Sequence, residues 1–215
     1  MKNICLAFIL YMILAACNTK PAPISLSNEQ KDVVFHNLET RRSIRKYKAE
    51  QVNRDTLNLL LKAAIHAPSA LNKQPWELRV IQNKTLLDKI NKQFIEEAKG
   101  KVLQGSAARA QEPGFSVFHH APTLIAIAGD KNNAYAKVDI GLISQNIMLA
   151  AHALGWGTCP IGSVVGLLNN PDNADITGLL NIPEDYEMVL CIALGYPDES
   201  PIMKVRYPEK IKIIE

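Results

Sequence analysis

A buried apolar segment in the middle of the chain constrains the fold most. Pro122–Ala128 is an apolar run of strand length bounded by Gly129, a pattern typical of a strand covered on both faces. A long helix follows from about Tyr135 to Leu154, apolar on more than one face, and Gly155 ends it. Such a helix is either the central helix of the domain or half of a dimer interface.

The remaining periodic segments predict a mixed fold. A capping box at Ser27–Gln30 opens a helix that runs towards Thr40. The other predicted elements are a helix from near Asn53 that Pro68 stops, a strand over Glu77–Gln82, a helix capped by Asn83, and a strand over Val189–Leu194. Helices and strands mixed in this way indicate an α+β sandwich.

Length and charge limit the classes of protein to consider. The 215 residues are 47% hydrophobic, which is enough for one domain with a sizeable core. The formal net charge is only +3, so no nucleic-acid partner is expected. The sequence has no Cys-x-x-Cys, no His-Glu-x-x-His and no Walker-type glycine loop, so we predict no metal site.

The N-terminus has the layout of a secretory signal. Lys2 precedes an apolar run that is too short to span a bilayer comfortably, and Leu14-Ala15-Ala16-Cys17 resembles the bacterial lipobox, whose cysteine is lipidated. We therefore predict a signal peptide over 1–16, lipidation at Cys17, a tether over 17–26 and a folded domain over 27–215 with a C-terminal extension from residue 204. The protein would then be lipid-anchored in the cell envelope, facing the periplasm or in the outer membrane.

Two alternatives to a lipidated signal stay open. The segment is compatible with an ordinary signal peptide cut at an Ala-x-Ala-like site, or with an uncleaved apolar arm in which Cys17 is incidental. If the segment is not a functional signal, the protein is cytoplasmic.

Cys159 and Cys191 are the two cysteines of the predicted domain. One disulfide between them is possible in an oxidising compartment. Their apolar surroundings favour instead two small buried side chains.

Two short basic clusters are candidates for phosphate binding. One cluster comprises Arg41, Arg42 and Arg45 with Ser43, just after a helix, and the other comprises Lys204 and Arg206. A phosphate needs cations that converge from several directions, and folding can bring two such clusters together. Taken alone, such a cluster is more typical of a solvated basic surface.

Two further segments carry polar or glycine-rich patterns. Pro68–Trp76 is a proline-bounded loop that contains Ser69, Asn72 and Gln74, and Thr158–Ser163 is a glycine-containing turn. Helical periodicity fades between Gly100 and His120, which makes that stretch a candidate lid. His119 and His120 beside it are candidates for proton donation or substrate contact, although adjacent histidines at a strand entrance are more often structural.

The two basic clusters, the polar loop and the glycine-containing turn occur together with the long helix in an order that resembles the nitroreductase family. The resemblance covers essentially the whole predicted domain. The resemblance implies an α+β sandwich with a mostly antiparallel central sheet flanked by helices. It also implies an intertwined homodimer with two FMN sites built from both subunits. The apolar central helix and the strand-like tail are consistent with that arrangement.

The resemblance also assigns cofactor-binding residues. Arg41 and Ser43 resemble phosphate and ribityl contacts, and Arg45 resembles the cation beside the pyrimidine edge of the flavin. The Ser69 loop resembles the segment that the partner subunit places over the flavin. The full set implied by the resemblance is Arg41, Arg42, Ser43, Arg45, Pro68, Ser69, Ala70, Asn72, Gln74, Pro160, Ile161, Gly162, Lys204 and Arg206.

The activity implied by the resemblance is FMN-dependent and ping-pong. A donor such as NAD(P)H delivers a hydride to flavin N5, and an electron-poor acceptor such as a nitroaromatic or a quinone then removes it. No catalytic side chain is assigned, because the flavin carries the chemistry. Alternatives are a narrower reductase, such as a dehalogenase or enone reductase, and a membrane-tethered flavin carrier or sensor without turnover. A lipid-anchored domain outside the inner membrane would need a donor other than cytoplasmic nicotinamide.

Overall fold

A computed structural model describes residues 25–215. The predicted signal peptide and Cys17 lie outside the described residues. The described residues divide into two units, one that ends at His36 and one that spans Asn37–Glu215. No helix among the described residues is long and apolar enough to cross a membrane.

Helix α1 spans Asn28–Thr40 and begins with the predicted capping box. The Ser27 backbone N–H donates to Gln30 Oε1 at 2.9 Å, and the Gln30 backbone N–H donates to Ser27 Oγ at 3.2 Å. These reciprocal bonds satisfy two of the donors that a helix start leaves free. The apolar side chains of α1, among them Val34 and Phe35, are exposed.

A four-stranded antiparallel sheet forms the centre of the second unit. Its strands are β1 (Trp76–Ile81), β2 (Thr123–Asp130), β3 (Gly157–Ile161) and β4 (Tyr186–Gly195), in the order β1-β2-β4-β3. The central strands β2 and β4 pair antiparallel, with Ile125 opposite Ile192 and a shift of register between Ile127 and Ala128. The predicted mostly antiparallel sheet is therefore confirmed.

Helices flank this sheet. The longer ones are α2 (Arg54–Ala64), α3 (Lys84–Glu97) and α4 (Ala136–Ala153), and the short ones are α5 (Val165–Leu168) and α6 (Ala174–Thr177). Asn53 and Asn83 cap α2 and α3 by accepting backbone N–H bonds from Thr56 and Leu86 at 2.8 and 3.0 Å. Such caps stabilise a helix start by about 1 kcal/mol each.

Strand β2 is apolar throughout because both of its faces are buried. Ile125 and Ile127 belong to the core cluster that contains α2 and α4, whereas Leu124 and Ala126 belong to the cluster that contains α3. The inner side of α4 contributes Ile140, Ile143 and Ile147, each at most 1% exposed. Helix α4 is thus the central helix of the domain, and its outer apolar side chains, Val138 and Leu142, are exposed.

Two elements differ from the sequence prediction. The segment predicted as a glycine-containing turn lies in its first part within strand β3. Pairing with β4 supplies hydrogen bonds that the local sequence does not reveal. Pro160 is tolerated there because β3 lies at the sheet edge. The tail from residue 204 forms no strand in the described chain and contains only a 3-10 turn over Pro208–Lys210.

Both cysteines of the domain are free and buried. The interpretation of Cys159 and Cys191 as small buried side chains is confirmed. Burial raises the pKa of the Cys191 thiol to about 12, so this thiol stays protonated at neutral pH.

Candidate functional site

The segment that carries the arginine cluster runs beside the edge of the sheet. Ser43 forms a parallel bridge with Thr158 of β3, and the Ile44 backbone N–H donates to the Thr158 carbonyl at 2.9 Å. Further along, the Lys48 backbone N–H donates to the Tyr196 carbonyl at 3.0 Å. The segment is therefore fixed by backbone pairing at both ends, which gives the arginine side chains a defined origin.

This pairing requires a glycine on the facing strand. A Cβ added to Gly157 would lie 2.9 Å from Cγ1 and 3.0 Å from Cβ of Ile44. Real Cβ atoms essentially never show a contact as short as 2.9 Å, so any other residue at 157 would force Ile44 to shift. Gly157 is a residue whose importance the sequence did not reveal.

The two basic clusters meet at Arg41. The Arg41 Nη1 atom is buried and has no hydrogen-bond partner among the described residues. Burial lowers the pKa of Arg41, and the charges of Arg42 and Arg206 lower it further. Because an arginine stays charged in proteins, this is a partly desolvated cation with an unused donor, held beside two other cations. Such a site favours an anion.

An open cavity of about 450 Å³ adjoins Arg41 and Arg42. Arg41, Arg42 and Glu199 line it, together with Trp156 and Thr158 from the region of β3. Its volume lies within the roughly 300–1,000 Å³ that is ordinary for small-molecule sites. The cavity is large enough for part of a cofactor and is charged where an anionic group would bind.

Arg45 and Glu199 form a second charged part of the site. The Arg45 backbone N–H donates to a Glu199 carboxylate oxygen, and Arg45 Nη1 lies 3.4 Å from the Ser43 carbonyl. The Ser43 side chain also hydrogen-bonds Cys159, whose pKa is raised mainly by burial. Sequence reasoning missed Glu199, and the signal that could have found it is its position just after the last core strand.

The Ser69 loop has a strained backbone. Leu71, Asn72 and Gln74 all have positive φ, at 53°, 53° and 47°. Left-handed backbone costs a residue other than glycine roughly 1–2 kcal/mol, so surrounding interactions must maintain it. Within the loop, Ser69 Oγ accepts the Gln74 backbone N–H at 2.9 Å, and Asn72 Oδ1 accepts from the Gln74 side chain at 3.3 Å.

A buried carboxylate holds the loop from behind. The Ala70 backbone N–H donates to Asp139 at 3.1 Å and 3.3 Å from its two oxygens, and Asp139 lies in the first turn of α4 at 3% exposure. None of the loop residues, Pro68 to Gln74, lines the 450 Å³ cavity beside Arg41. Within the described chain, the loop is not part of that cavity's wall.

Removing the Asp139 carboxylate should loosen the loop. We expect Asp139→Ala to lower the free energy of unfolding by about 1–3 kcal/mol, because the part-buried Ala70 N–H loses its acceptor. Asp139→Asn keeps one acceptor oxygen and should lose less. Chemical denaturation monitored by circular dichroism measures both variants. Asp88→Ala removes an exposed carboxylate from α3 as a control, and wild-type stability in Asp139→Ala would contradict this role.

The remaining predicted site residues are placed as follows. Pro160 is exposed, whereas the Ile161 side chain is buried in the core, so Ile161 can offer a ligand only its backbone. A Cβ added to Gly162 would meet nothing within 4 Å, which leaves room for a ligand to approach the backbone. Lys204 and Arg206 are exposed, and Trp76 is core.

The predicted lid ends at two consecutive histidines whose backbones are left-handed. His119 and His120 have φ of 57° and 59°. The His120 ring bonds the Gly114 carbonyl at 2.9 Å. His119 is 7% exposed, and its Nε2 is buried without a hydrogen-bond partner among the described residues. Burial, followed by the charges of Arg45 and Arg109, lowers the pKa of His119, so the ring is neutral at pH 7.

The depressed pKa of His119 predicts acid sensitivity. In the unfolded chain the ring titrates near its ordinary value of about 6.5, so the unfolded state binds the proton first as pH falls. The free energy of unfolding should therefore be undiminished above that pH and decrease below it. Urea denaturation between pH 7.5 and 5 measures this slope in wild type and in His119→Gln. The slope should be smaller in His119→Gln, and equal slopes in wild type and His119→Gln would contradict it.

The fold and the site together define a class of protein. Proteins of this class are antiparallel α+β sandwiches that have converging cations, an adjoining cavity and a strained polar loop. Within residues 25–215 no group of three or more His, Cys, Asp or Glu side chains is arranged to hold a metal ion.

Comparison with known proteins identifies the family. Residues 38–196 match the model of the nitroreductase family, and the chain belongs to that family. A Methanothermobacter thermautotrophicus protein provisionally named NADH dehydrogenase/NAD(P)H nitroreductase is 33% identical over 172 residues, covering 78% of this chain and 79% of that protein. An iodotyrosine deiodinase from Thermotoga neapolitana is 25% identical over 181 residues, covering 81% and 92%. A nitroreductase with bound FMN from Desulfitobacterium hafniense superposes with a TM-score of 0.78 at 28% identity, covering 88% of this chain and 100% of that structure.

Proposed function

We infer that this chain is an FMN-dependent oxidoreductase that passes electrons from a small-molecule donor to an electron-poor acceptor. The observation that carries this inference is the partly buried Arg41, whose unpartnered Nη1 lies beside Arg42 and Arg206. Family membership and the FMN-bound structural relative support the same cofactor.

The residues of the site fit FMN. Arg41, Arg42 and Arg206 would hold the phosphate, because three guanidiniums supply charge and directed N–H donors. Arg45 would lie at the pyrimidine edge, where its charge favours the reduced, anionic form of the cofactor. When bound, the flavin supplies hydride exchange at N5. The side chains bind and orient it, and Gly162 leaves its surroundings accessible.

We propose that the complete site needs a second copy of this chain. The Ser69 loop holds polar groups in a strained conformation, yet it does not line the cavity beside Arg41. The tail exposes apolar side chains that find no cover in the described chain, including Val205 at 73%, Ile211 at 77% and Ile213 at 86%. A homodimer that buries the tail and brings each loop to the partner's arginine cluster accounts for both features.

The spectrum of the purified protein tests the cofactor. Protein expressed from residue 25 onwards and reconstituted with FMN should retain a flavin absorbance spectrum after desalting. NADH, NADPH and dithionite are then tested as reductants, and nitroaromatics and quinones as oxidants. Protein without bound flavin after reconstitution would overturn the proposal.

The acceptor screen also separates the alternatives. Selective reoxidation by halogenated phenols would support a narrower dehalogenase, which the similarity to iodotyrosine deiodinase favours as second candidate. Tight flavin binding with no acceptor dependence of reoxidation would support a flavin carrier or sensor.

We propose in addition that Cys17 is lipidated and that the domain is tethered to the cell envelope. The support is the Leu14-Ala15-Ala16-Cys17 pattern after an apolar run. In that location the donor would be a membrane quinol or a partner redox protein. Labelling with radioactive palmitate should mark the wild type and not Cys17→Ala. An unlabelled, soluble wild type would exclude lipidation at Cys17 and favour one of the two alternatives to it.

A further inference from the structure

The last turn of α1 leads directly into the arginine segment, so its position determines where Arg41 and Arg42 begin. The backbone pairing that fixes this segment to β3 starts only at Ser43. Arg41 precedes that pairing, and its backbone N–H donates to the Asn37 carbonyl at 3.3 Å. The contacts that hold the last turn of α1 therefore also hold the first two arginines.

Two side-chain hydrogen bonds join this turn to the end of α4. Asn37 Nδ2 donates to the Leu149 carbonyl at 3.1 Å, and Thr40 Oγ1 lies 2.9 Å from Nε2 of His152. All four residues belong to the second unit. Thr40 is the last residue of α1, and His152 lies in the last turn of α4. Of the two bonds, the one between Thr40 and His152 is nearer to Arg41 along the chain.

The Arg42 side chain depends on the same helix end. Its Nη1 donates to the carbonyl oxygen of Arg41 at 2.8 Å and also to that of Glu39. These carbonyls lie at the C-terminal end of α1, where the helix dipole also favours a cation. The Arg42 guanidinium is therefore folded back on α1, and a shift of the last turn would displace it.

The bonded pair and both arginines line the same cavity. Thr40, Arg41, Arg42 and His152 all contribute to the wall of the open cavity described above. Thr40 and His152 are half-buried, so water has only partial access to them. A hydrogen bond that is partly shielded from water is stronger than the same bond in open solvent. The contact between Thr40 and His152 is thus well placed to fix this part of the wall.

We propose that His152 and Thr40 are positioning residues of the phosphate site. Their hydrogen bond holds the end of α1 where Arg41 and Arg42 can reach one anionic group in the cavity. This inference rests on the proposed function, because that anionic group is the FMN phosphate. His152 acts on the phosphate through Thr40 and the backbone that follows it.

Loss of the bond should affect binding of the phosphate more than binding of the flavin ring. Two guanidiniums hold one phosphate well only when both reach it together, because directed N–H donors lose their contacts after small shifts. Riboflavin has the ring and ribityl chain of FMN but no phosphate. The ratio of the two affinities therefore reports the arrangement of the arginines, whereas a general loss of structure would weaken both ligands.

The test titrates FMN and riboflavin separately into the cofactor-free, full-length protein and follows quenching of flavin fluorescence. Wild type should prefer FMN. Thr40→Val removes the hydroxyl at nearly constant volume, and His152→Leu removes the ring nitrogen. Each should lower the preference for FMN roughly fivefold, as for one net hydrogen bond.

Conservative variants and a matched control accompany these two. Thr40→Ser and His152→Gln keep a polar group at the same place and should keep most of the preference for FMN. His66→Leu changes an exposed histidine just after α2 and should leave the preference unchanged. Thermal unfolding of each variant reports its stability separately. Should His152→Leu not fold, Thr40→Val and Thr40→Ser decide between the same outcomes.

A double-mutant cycle shows whether His152 acts through Thr40. The variant that combines Thr40→Val with His152→Leu should lose no more of the preference than either single variant. Additive losses, an unchanged preference in Thr40→Val, an equal loss in Thr40→Ser, or equal affinity of wild type for both ligands would overturn the proposal. In each of these results wild type still binds FMN, whereas failure of the proposed function leaves wild type without flavin.

Discussion

Replacement of Arg41 by methionine should separate FMN binding from protein stability. Arg41→Met removes a charge-assisted contact to phosphate, so we expect FMN affinity to fall by about 2–3 kcal/mol, or roughly 30- to 150-fold in Kd. The cofactor-free protein should be as stable as wild type or slightly more stable, because a partly desolvated, unpartnered cation is replaced by an apolar chain of similar length. Flavin fluorescence quenching gives Kd, and thermal unfolding gives stability.

Lys46→Met is the matched control for this prediction. Lys46 lies on the same segment, is mostly exposed and pairs with Asp198 at 3.0 Å. It should leave FMN affinity within about twofold of wild type, since exposed ion pairs contribute little. Equal Kd values for wild type and Arg41→Met would show that Arg41 does not contact the phosphate.

Gly157→Ala should damage the site through the backbone. The new Cβ would meet three Ile44 atoms at 2.9–3.1 Å, so the arginine segment must move away from β3. We expect a loss of about 1–3 kcal/mol in the free energy of unfolding, as for overpacking elsewhere. FMN affinity should fall with it, because Arg41 to Arg45 lose their common position. Denaturation and FMN titration measure the two effects.

A double-mutant cycle shows whether the clash is the cause. Ile44→Ala alone creates a cavity and should destabilise the protein by about 2–5 kcal/mol. In Gly157→Ala combined with Ile44→Ala, the contacts with Cγ1 and Cγ2 of residue 44 are removed and only the 3.0 Å approach to its Cβ stays. The combined loss should therefore be smaller than the sum of the single losses. Strict additivity would mean that the close approach of Ile44 to Gly157 does not limit this position. Gly166→Ala, where nothing lies within 4 Å of the new Cβ, serves as control.

The main elements of the fold were predictable because local patterns and tertiary environment agree. The apolar run over Pro122–Ala128 predicted a strand covered on both faces, and β2 is packed between two core clusters. The helix starts at Ser27, Asn53 and Asn83 follow from capping chemistry. By contrast, β3 contains a proline and only five residues, and its strand identity depends on pairing with β4, which no local pattern encodes.

The charged residues of the candidate site could be predicted from the sequence, but the residues that hold them in position could not. The arginine cluster and the cluster of Lys204 and Arg206 are visible in the sequence as charge patterns. That Arg42 and Arg206 both lie near Arg41 follows from the structure. Glu199, Gly157 and the orphaned nitrogen of His119 depend on long-range approach of segments, which periodicity does not show. The assignments of individual residues to FMN, including Asn72 and Gln74, stay predictions.

The bridge between Ser43 and Thr158 also has a consequence for biogenesis. It joins segments far apart in the sequence, as do the bonds from Lys48 to Tyr196 and from Arg45 to Glu199. Contacts of high sequence separation form late in folding, because the intervening chain must first be ordered. We therefore expect a newly synthesised chain to gain cofactor affinity only in its final folding step. Because FMN would bind the folded state alone, a shortage of flavin in the cell would reduce the amount of this protein through lost stabilisation.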